Sequence, residues 1–233
     1  MTNLQESNER LEQFAYAASH DLQEPLRMVS SYLQLIETRY GEELDEDGEE
    51  FIGYAIDGSE RMRAMIDGLL SYARVETQGE PLEPTDLDEV FADVREDLHV
   101  QIDDVDARVT SDSLPVVEGD ANQLRRVFQN LLQNSIRYSD DEPPSIHVSA
   151  DRSNSTWTVT VRDDGIGMDP EETEQIFDVF SRLHPREEYA GSGVGLAVCE
   201  RIVERHGGDI WAESEPGEGT AVSFTLNPAE TDS

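Results

Sequence analysis

Hydrophobic residues in the first third of the chain recur in alternating steps of three and four, a spacing typical of a helix with one apolar stripe. The stripe is formed by Leu4, Leu11, Ala15, Ala18, Leu22, Val29, Tyr32 and Ile36, and it is interrupted at Asn8 and Pro25. It predicts a helix over residues 2–40. An acidic turn is expected over 41–47. A helix is then predicted over 48–75, with a stripe of Ile52, Ala55, Ser59, Met62, Ile66, Leu69 and Ala73.

Two narrow stripes of similar length cannot both be buried inside a single helical hairpin. Two copies of the hairpin would bury them together as a four-helix bundle, which is the arrangement that we expect. A coiled coil that serves only for dimerisation fits the stripes equally well.

The rest of the chain mixes strands and helices without regular alternation, which favours a two-layer α/β sandwich. One glycine and two prolines over 76–84 indicate a linker. We expect helices over 86–102, 120–138, 171–180 and 194–206, and strands over 107–110, 116–118, 146–150, 157–161, 209–213 and 220–226. The predicted fold class is α+β, with a hairpin domain over 1–77, a linker over 78–85 and a sandwich domain over 86–233.

The net charge of the chain is −35, and all 17 basic residues are arginine. Acidic residues spread along the whole chain repel one another in dilute buffer and are screened at molar ionic strength. We therefore expect adaptation to a salt-rich cytoplasm, and the composition resembles that of proteins from salt-in halophiles. Non-specific nucleic-acid binding is disfavoured, because phosphate contacts need a basic surface.

Cys199 is the only cysteine, which excludes an internal disulfide, and its apolar helical surroundings favour a packed small residue over a reactive thiol. The chain has no visible signal peptide or membrane-spanning segment. We expect a cytoplasmic protein, or part of a longer one that could itself be membrane-attached.

A histidine and a carboxylate stand next to each other on the first predicted helix. His20 lies off the apolar stripe and is followed at once by Asp21. A neutral imidazole is a nucleophile at cellular pH, and Asp21 could hold the proton on one ring nitrogen and leave the other free to attack. Taken alone, an ordinary surface histidine is the simpler interpretation.

The segment around this histidine, Ser19-His-Asp-Leu-Gln-Glu-Pro-Leu-Arg27, resembles the H-box of sensor histidine kinases. Its His-Asp-Leu-Gln-Glu-Pro form is that of phytochrome-like kinases. The resemblance implies that residues 1–77 form the dimerisation and histidine-phosphotransfer (HisKA) domain. Glu24 departs from the common pattern, in which Thr or Asn four residues after the histidine supports dephosphorylation of the regulator, so phosphatase activity is not an expectation.

The segment 120–138 resembles the N-box of the same family. On a helix, Asn130, Asn134 and Arg137 share one face, and amide oxygens can coordinate Mg²⁺. The resemblance implies that Arg137 and Tyr138 contact phosphates and base. An ordinary amphipathic helix with a polar face also fits the spacing.

Asp163-Asp-Gly165-Ile-Gly167 matches the DxGxG box. The alternation of strand 157–161 points Asp163 inward, where a carboxylate needs a hydrogen-bond donor such as the exocyclic amine of adenine. The same alternation points Thr220 inward on the last strand, and in the family such a threonine helps to hold the carboxylate through water. A plain Asp-Gly turn is the alternative.

Two further motifs complete the family's order along the chain. Phe177 and Phe180 match the F-box, although two such residues are equally often plain core. Gly191, Gly193, Gly195 and Leu196 match the GxGxGL box, whose glycines let backbone N–H groups reach phosphate. The resemblance also implies that Arg182 meets the γ-phosphate, and that residues 86–233 adopt the Bergerat (GHKL) fold with a lid near 168–192.

The resemblance implies an enzyme that uses ATP and Mg²⁺ to phosphorylate His20 and then transfers the phosphoryl group to an aspartate of a response regulator in two-component signalling. Its implied partners are a second copy of the chain, a receiver domain and, if the chain is a fragment, an upstream sensor domain. Two alternatives are an ATP-sensing scaffold without activity and another ATPase of the same fold. Intact His20, Asn134 and Asp163 argue against the first, and the His-bearing hairpin argues against the second.

Overall fold

The computed structural model describes residues 23–139, 143–153, 155–181 and 192–229, apart from the side chains of Glu42 and Glu46. The first helix, α1, is described over 23–40, and a 3₁₀ turn, Gly41–Glu43, follows it. The second helix, α2, is Glu46–Arg74, and its N-cap Asp45 accepts a hydrogen bond from the Gly48 amide. An N-cap carboxylate satisfies an amide that the first helical turn leaves unpaired, which explains why α2 begins here.

The two helices form an antiparallel hairpin held by small and polar side chains. The hydroxyls of Ser30 and Ser59 are 2.8 Å apart and buried, and the Gln23 amide donates to Asp67. In the described part of α1, the predicted stripe is not covered by α2, since Val29, Tyr32 and Ile36 are 48%, 65% and 39% exposed. Further large apolar side chains exposed on the hairpin are Met28, Leu35, Tyr40, Phe51, Tyr54, Met62 and Leu69.

The sandwich begins with a strand that the sequence did not predict. Strand β1, Glu83–Asp86, pairs antiparallel with β3, Val116–Gly119. Strand β1 therefore overlaps the expected linker 78–85, and the domain boundary itself stays a prediction. The helix expected to end near residue 102 is wrong as a single element, because it is divided into α3, Leu87–Asp97, and α4, His99–Asp104. The break is at Leu98, whose backbone leaves the helical region at φ −97° and ψ 4°.

The main sheet has five strands in the order β2-β4-β5-β7-β6. Its members are β2 Arg108–Ser111, β4 Ser145–Ser153, β5 Thr156–Asp163, β6 Ile210–Ser214 and β7 Thr220–Leu226. Strand β2 runs parallel to β4, and the other pairs are antiparallel. This topology confirms the predicted sheet-and-helix architecture.

Helices α5, Ala121–Arg137, and α6, Gly195–Arg205, pack with α3 to form the helical layer. The core joins both layers through three rings, because Phe128 meets Phe91 edge to face at 5.5 Å and Phe224 at 6.0 Å. Such pairs are favourable beyond their apolar burial.

The helix expected over 171–180 is also wrong. The segment contains two 3₁₀ turns, Pro170–Glu172 and Gln175–Phe177. Both Ile176 and Phe177 are buried, and Phe180 adopts a positive φ of 69° that no right-handed helix contains. In the described part of the chain, no helix has the length and apolar character needed to cross a bilayer.

The hairpin docks against the sandwich along α2. A Cβ built on Gly68 would lie 2.7 Å from Cβ of Val194, the residue that precedes α6, so the absence of a side chain permits this contact. The Arg126 guanidinium of α5 donates to the Ser71 hydroxyl of α2. These contacts bring α2 to the edge of the cavity described below.

A buried polar junction ties the linker to the ends of α5 and α6. Asp120 caps α5 and also accepts from the Glu80 amide at 2.7 Å. The His206 ring accepts from the Asp120 amide at 3.0 Å through Nε2, and it donates to the Ile202 carbonyl through Nδ1. Arg205 donates to the Glu80 carbonyl. Five residues therefore join two helices to the linker.

Candidate functional site

A cavity of about 300 Å³ lies between α5, the end of β5 and the start of α6. Of the predicted site residues, its lining includes Asn130, Asn134, Arg137, Tyr138, Asp163, Gly167, Gly193, Gly195, Leu196 and Thr220. Three separate sequence motifs and Thr220 thus line one cavity, although each was identified independently along the chain. Helix α2 contributes Ala64 to the rim.

The carboxylate of Asp163 is held by three donors at the end of β5. Its Oδ1 accepts from the amides of Gly165 and Thr220, both at 3.1 Å. Its Oδ2 accepts from the Ser135 hydroxyl of α5 at 2.8 Å. Burial raises the pKa of Asp163 above its ordinary value, and the three hydrogen bonds oppose this effect by stabilising the charged form.

The sequence predicted a water-mediated role for the Thr220 side chain, and the structure gives this residue a direct one. Its amide bonds Asp163, while its hydroxyl lies 3.0 Å from that of Ser214. Ser214 in turn accepts from the Met168 amide and donates to the Gly219 carbonyl. This network fixes the loop that follows β5.

Two glycines of that loop are required by its close approach to other backbone. A Cβ on Gly165 would collide with the Tyr138 carbonyl, which accepts from the Ile166 amide at 3.0 Å. Gly167 has a φ of 63°, and a Cβ there would collide with the Glu215 carbonyl. The motif therefore folds tightly against the end of α5, leaving the Asp163 carboxylate at the cavity wall.

Helix α5 presents two amide side chains to the cavity. A Cβ on Gly195 would lie 3.0 Å from the Asn130 Oδ1, and the buried Cys199 thiol of α6 donates to the Val127 carbonyl of α5. Burial raises the pKa of the Cys199 thiol to about 12, so this thiol is neutral and packed, as its sequence context indicates. Asn134 lies one turn further along the same helix.

The donor set available to a cation here consists of neutral oxygens. Among the described residues, no group of three or more His, Cys, Asp or Glu side chains could hold a metal ion. The amide oxygens of Asn130 and Asn134 are hard ligands of the kind that Mg²⁺ accepts, with its remaining positions left to water or phosphate. The residues present therefore fit Mg²⁺ carried by a nucleotide.

The glycine-rich segment closes the cavity at the start of α6. Gly193 has a φ of 68°, and a Cβ on it would lie 2.8 Å from the Ser181 carbonyl oxygen. Its own carbonyl accepts from the Phe180 amide at 2.8 Å. Phe180, inside the expected lid, is thus bonded to Gly193, which directly follows the lid and lines the cavity.

Several predicted site residues do not line this cavity. Gly165 lies behind Asp163, Phe177 is buried in the core, and Phe180 is half exposed beside Gly193. Four others lie outside the described residues, and their roles stay predictions. They are His20, Asp21, Arg182 and Gly191.

Sequence reasoning gave no functional role to Ser135, which lies on the apolar face of α5. Ser135 both lines the cavity and bonds Asp163. The available signal was its chemistry, because a hydroxyl on the face defined by Leu124, Phe128 and Leu131 needs a buried partner.

Two family models match the chain. Residues 10–78 match the His Kinase A (phospho-acceptor) domain, and residues 119–230 match the histidine kinase-, DNA gyrase B- and HSP90-like ATPase. The chain is a sensor histidine kinase transmitter module. It carries a phosphoacceptor domain followed by an ATPase domain of the histidine kinase type.

Named relatives support the same assignment. The chain is 47% identical over 224 residues to the phytochrome-like protein Cph1 of Synechocystis sp., a match that covers 96% of this chain and 30% of that protein. It is 34% identical to the methanogenesis regulatory histidine kinase FilI of Methanothrix harundinacea, covering 94% of this chain and 25% of that protein. The chain thus spans less than a third of the length of these relatives.

Solved structures share the fold. The crystal structure of full-length ShkA in complex with AMPPNP matches with a TM-score of 0.68 at 20% identity, covering 94% of this chain and 47% of that one. The mycobacterial sensor histidine kinase MprB matches with a TM-score of 0.55 at 27% identity, covering 64% of this chain and 99% of that one. The likeness to ShkA extends over both the hairpin and the sandwich.

Proposed function

We propose that this chain is an ATP-dependent kinase that phosphorylates its own His20. A ring nitrogen of His20 attacks the γ-phosphorus of ATP, the bond from that phosphorus to the β–γ bridging oxygen breaks, and ADP leaves. Asp21 accepts the proton carried by the other ring nitrogen. The phosphoryl group then passes from His20 to an aspartate of a response-regulator receiver domain.

The observation that carries this proposal is the cavity beside Asp163. The Asp163 carboxylate at the cavity wall can accept a hydrogen bond from the exocyclic amine of adenine. Asn130 and Asn134 line the same cavity and offer amide oxygens. The match of residues 10–78 to a phosphoacceptor domain supplies the second substrate, because His20 falls within it. ATP donor and histidine acceptor therefore belong to one chain.

The phosphate end of the site needs positive charge. Asn130 and Asn134 would hold Mg²⁺, which offsets the negative charge that develops on the phosphate oxygens. Arg137 lines the cavity and would add a fixed cation there, joined by Arg182. Gly193 and Gly195 leave the backbone open to phosphate at the start of α6.

The exposed stripe of α1 supports pairing of two chains. Val29, Tyr32 and Ile36 are apolar side chains in contact with water on a single chain, and a second hairpin would cover them. We infer a homodimer built through the hairpin. If the chain is a fragment of a longer protein, an upstream sensor domain is the expected source of the signal.

The composition supports a further refinement. A net charge of −35 with arginine as the sole basic residue type fits a protein that works in a salt-rich cytoplasm. We infer such an environment from the charge alone.

Labelled ATP tests the proposal directly. Wild-type protein is expected to take up an acid-labile, base-stable phosphoryl label, and His20→Gln is expected to lose the label while it keeps its affinity for ADP. His99→Gln, which alters an exposed histidine of α4, is the matched control and should label normally. Wild type that binds ATP and never takes label would instead indicate the scaffold alternative.

A second variant separates nucleotide binding from chemistry. Asp163→Asn should lower ADP affinity by about one to two decades, because a hydrogen bond to a charged acceptor contributes about 1.5–3 kcal/mol. Isothermal titration measures it. Unchanged affinity would remove Asp163 from the site.

A further inference from the structure

The two oxygens of the Asp163 carboxylate are not equivalent. A carboxylate has about four acceptor positions, two on each oxygen. Oδ1 already receives two amide hydrogens, from Gly165 and Thr220. Oδ2 receives only the Ser135 hydroxyl, so one acceptor position is left on Oδ2 for a ligand.

Ser135 occupies an unusual position for a hydroxyl. It lies on the apolar face of α5 with Leu131 and Leu132, is only 5% exposed, and lines the cavity. Its hydroxyl lies 2.8 Å from Oδ2 of Asp163. A buried hydroxyl that bonds a ligand-facing carboxylate has a role beyond filling space, since alanine would pack here with better helix propensity.

We propose that Ser135 is a positioning residue that makes the site select a purine with a 6-amino group. This inference rests on the nucleotide site proposed above. The Ser135 hydroxyl fixes the plane of the carboxylate, so that the open position on Oδ2 is aimed at the exocyclic amine. A 6-oxo purine such as guanine presents an acceptor there, which the carboxylate repels.

The same bond controls the charge on Asp163. Burial raises the pKa of this carboxyl, and the Ser135 hydroxyl is the strongest of the groups that lower it again. Removing the hydroxyl should therefore raise the pKa further. A protonated carboxyl is a poorer acceptor, so binding of a 6-amino purine would then be lost at a higher pH than in wild type.

Calorimetric titration of the full chain over a pH series tests this role. The ligands are ADP and purine riboside 5′-diphosphate, in which hydrogen replaces the 6-amino group. Ser135→Ala is expected to weaken ADP binding about tenfold and to leave binding of the purine analogue unchanged. The pH at which ADP affinity falls should move upward, and Ser135→Thr, which restores a hydroxyl, should move both values back.

A matched control separates this effect from loss of a buried serine. Ser223 is also 5% exposed and bonds the Thr160 hydroxyl at 2.9 Å, and neither residue lines the cavity, although β7 and β5 reach it at other positions. Ser223→Ala should bind both ligands as wild type does. If Ser135→Ala proves unfolded, Ser135→Cys, a weaker donor of similar size, takes its place with the same expectations.

The outcomes are distinguishable. If a folded Ser135 variant loses affinity for both ligands equally, the residue has only a structural role and the inference is overturned. So would an ADP affinity and pH profile like those of wild type. Failure of wild type itself to bind ADP would instead overturn the proposed nucleotide site.

Discussion

The hairpin and the sandwich meet the same requirement, burial of apolar surface, in opposite ways. The sandwich buries Phe91, Phe128 and Phe224 between its own layers. The hairpin instead joins its helices through Ser30 and Ser59 and leaves residues such as Tyr32 and Phe51 exposed. The first region is complete within one chain, whereas the second has the surface of half an assembly.

This difference suits the two regions to different tasks. The proposed nucleotide site needs side chains held in fixed geometry, which the closed core of the sandwich supplies at Asp163 and Asn134. A phosphoacceptor helix must be reached by another domain, and it belongs to the region whose stability depends on association. Breaking each region separately is therefore the clearest test of the comparison.

The largest expected effect is that of a core truncation. Phe128→Ala removes the central ring of the core, which is 0% exposed, and should cost about 3–5 kcal/mol of unfolding free energy in the sandwich. The same change at Phe51, 66% exposed on α2, should leave the sandwich intact and weaken the dimer. Calorimetry measures the first and sedimentation the second. A large loss of sandwich stability in Phe51→Ala would contradict the comparison.

The sequence predicted the sandwich better than it predicted the contacts of the hairpin, for a physical reason. Helix α5 was predicted correctly because Asp120 caps it and Leu124, Phe128 and Leu131 share one face. Periodicity identifies a face and does not reveal what covers it. The stripe of α1 therefore indicated that a further surface must cover it, and it did not predict the contacts of Ser30 with Ser59 and of Gln23 with Asp67 that join α1 to α2.

Small residues and irregular segments explain the other failures. The need for glycine at position 68 is evident only once Val194 is known to lie opposite it. The hydrogen-bonding role of Ser135 is likewise evident only once Asp163 is known to lie beside it. The segment 171–180 has helix-like spacing of Ile176 and Phe180, yet its chain turns to return to Gly193. Tertiary contacts that are distant in sequence decided all three.

The second-largest effect on stability is expected at the contact between α2 of the hairpin and the start of α6 in the sandwich. Gly68→Ala adds a Cβ 2.7 Å from that of Val194, which should offset the gain of about 1 kcal/mol that alanine brings to a helix interior. Gly58→Ala, on the same helix, meets only the end of the flexible Arg61 side chain and should show the full gain. Hydrogen exchange at the start of α6 should rise in the first variant alone. Equal stabilisation by both substitutions would indicate that α2 does not dock there.

A smaller effect is expected from the polar junction as pH falls. Burial lowers the pKa of His206 from its ordinary value of 6.5, so the unfolded chain binds this proton more readily than the folded one does. The stability contributed by the neutral ring is present above pH 6.5 and is lost as the pH falls from there toward the lower folded pKa. Chemical unfolding at a series of pH values measures it, and His206→Gln should flatten the dependence. A wild-type profile that rises on acidification through this range would contradict the assignment.

The smallest effect expected is that of salt on the repulsion between two exposed carboxylates. Many such pairs lie on the hairpin, so their effects on dimerisation add up. At about 0.1 M salt the Debye length is roughly 10 Å, and at about 1 M it is roughly 3 Å, so added KCl removes repulsion between exposed carboxylates that are not in contact. Each exposed pair contributes only about 0.2–1 kcal/mol. Dimerisation brings together two acidic hairpins whose tips carry Glu43, Asp47 and Glu49, so dimer fraction and label uptake should rise over this range of KCl.

Screening also weakens the attraction of Arg137 for phosphate. This loss should be smaller than the gain in dimerisation, because the cavity is partly shielded from water and Mg²⁺ would carry much of the charge. Neutralising Glu43 and Glu49 to Gln should reduce the salt dependence of dimerisation. The same two-charge change at Glu213 and Glu218, exposed on the sandwich, should leave it unaltered. Sedimentation and label uptake across the KCl series measure both pairs. A dimer that is complete and active at low salt and weakens as KCl is added would mean that the hairpin surfaces associate through their charges, and the salt-rich environment inferred for this chain would be wrong.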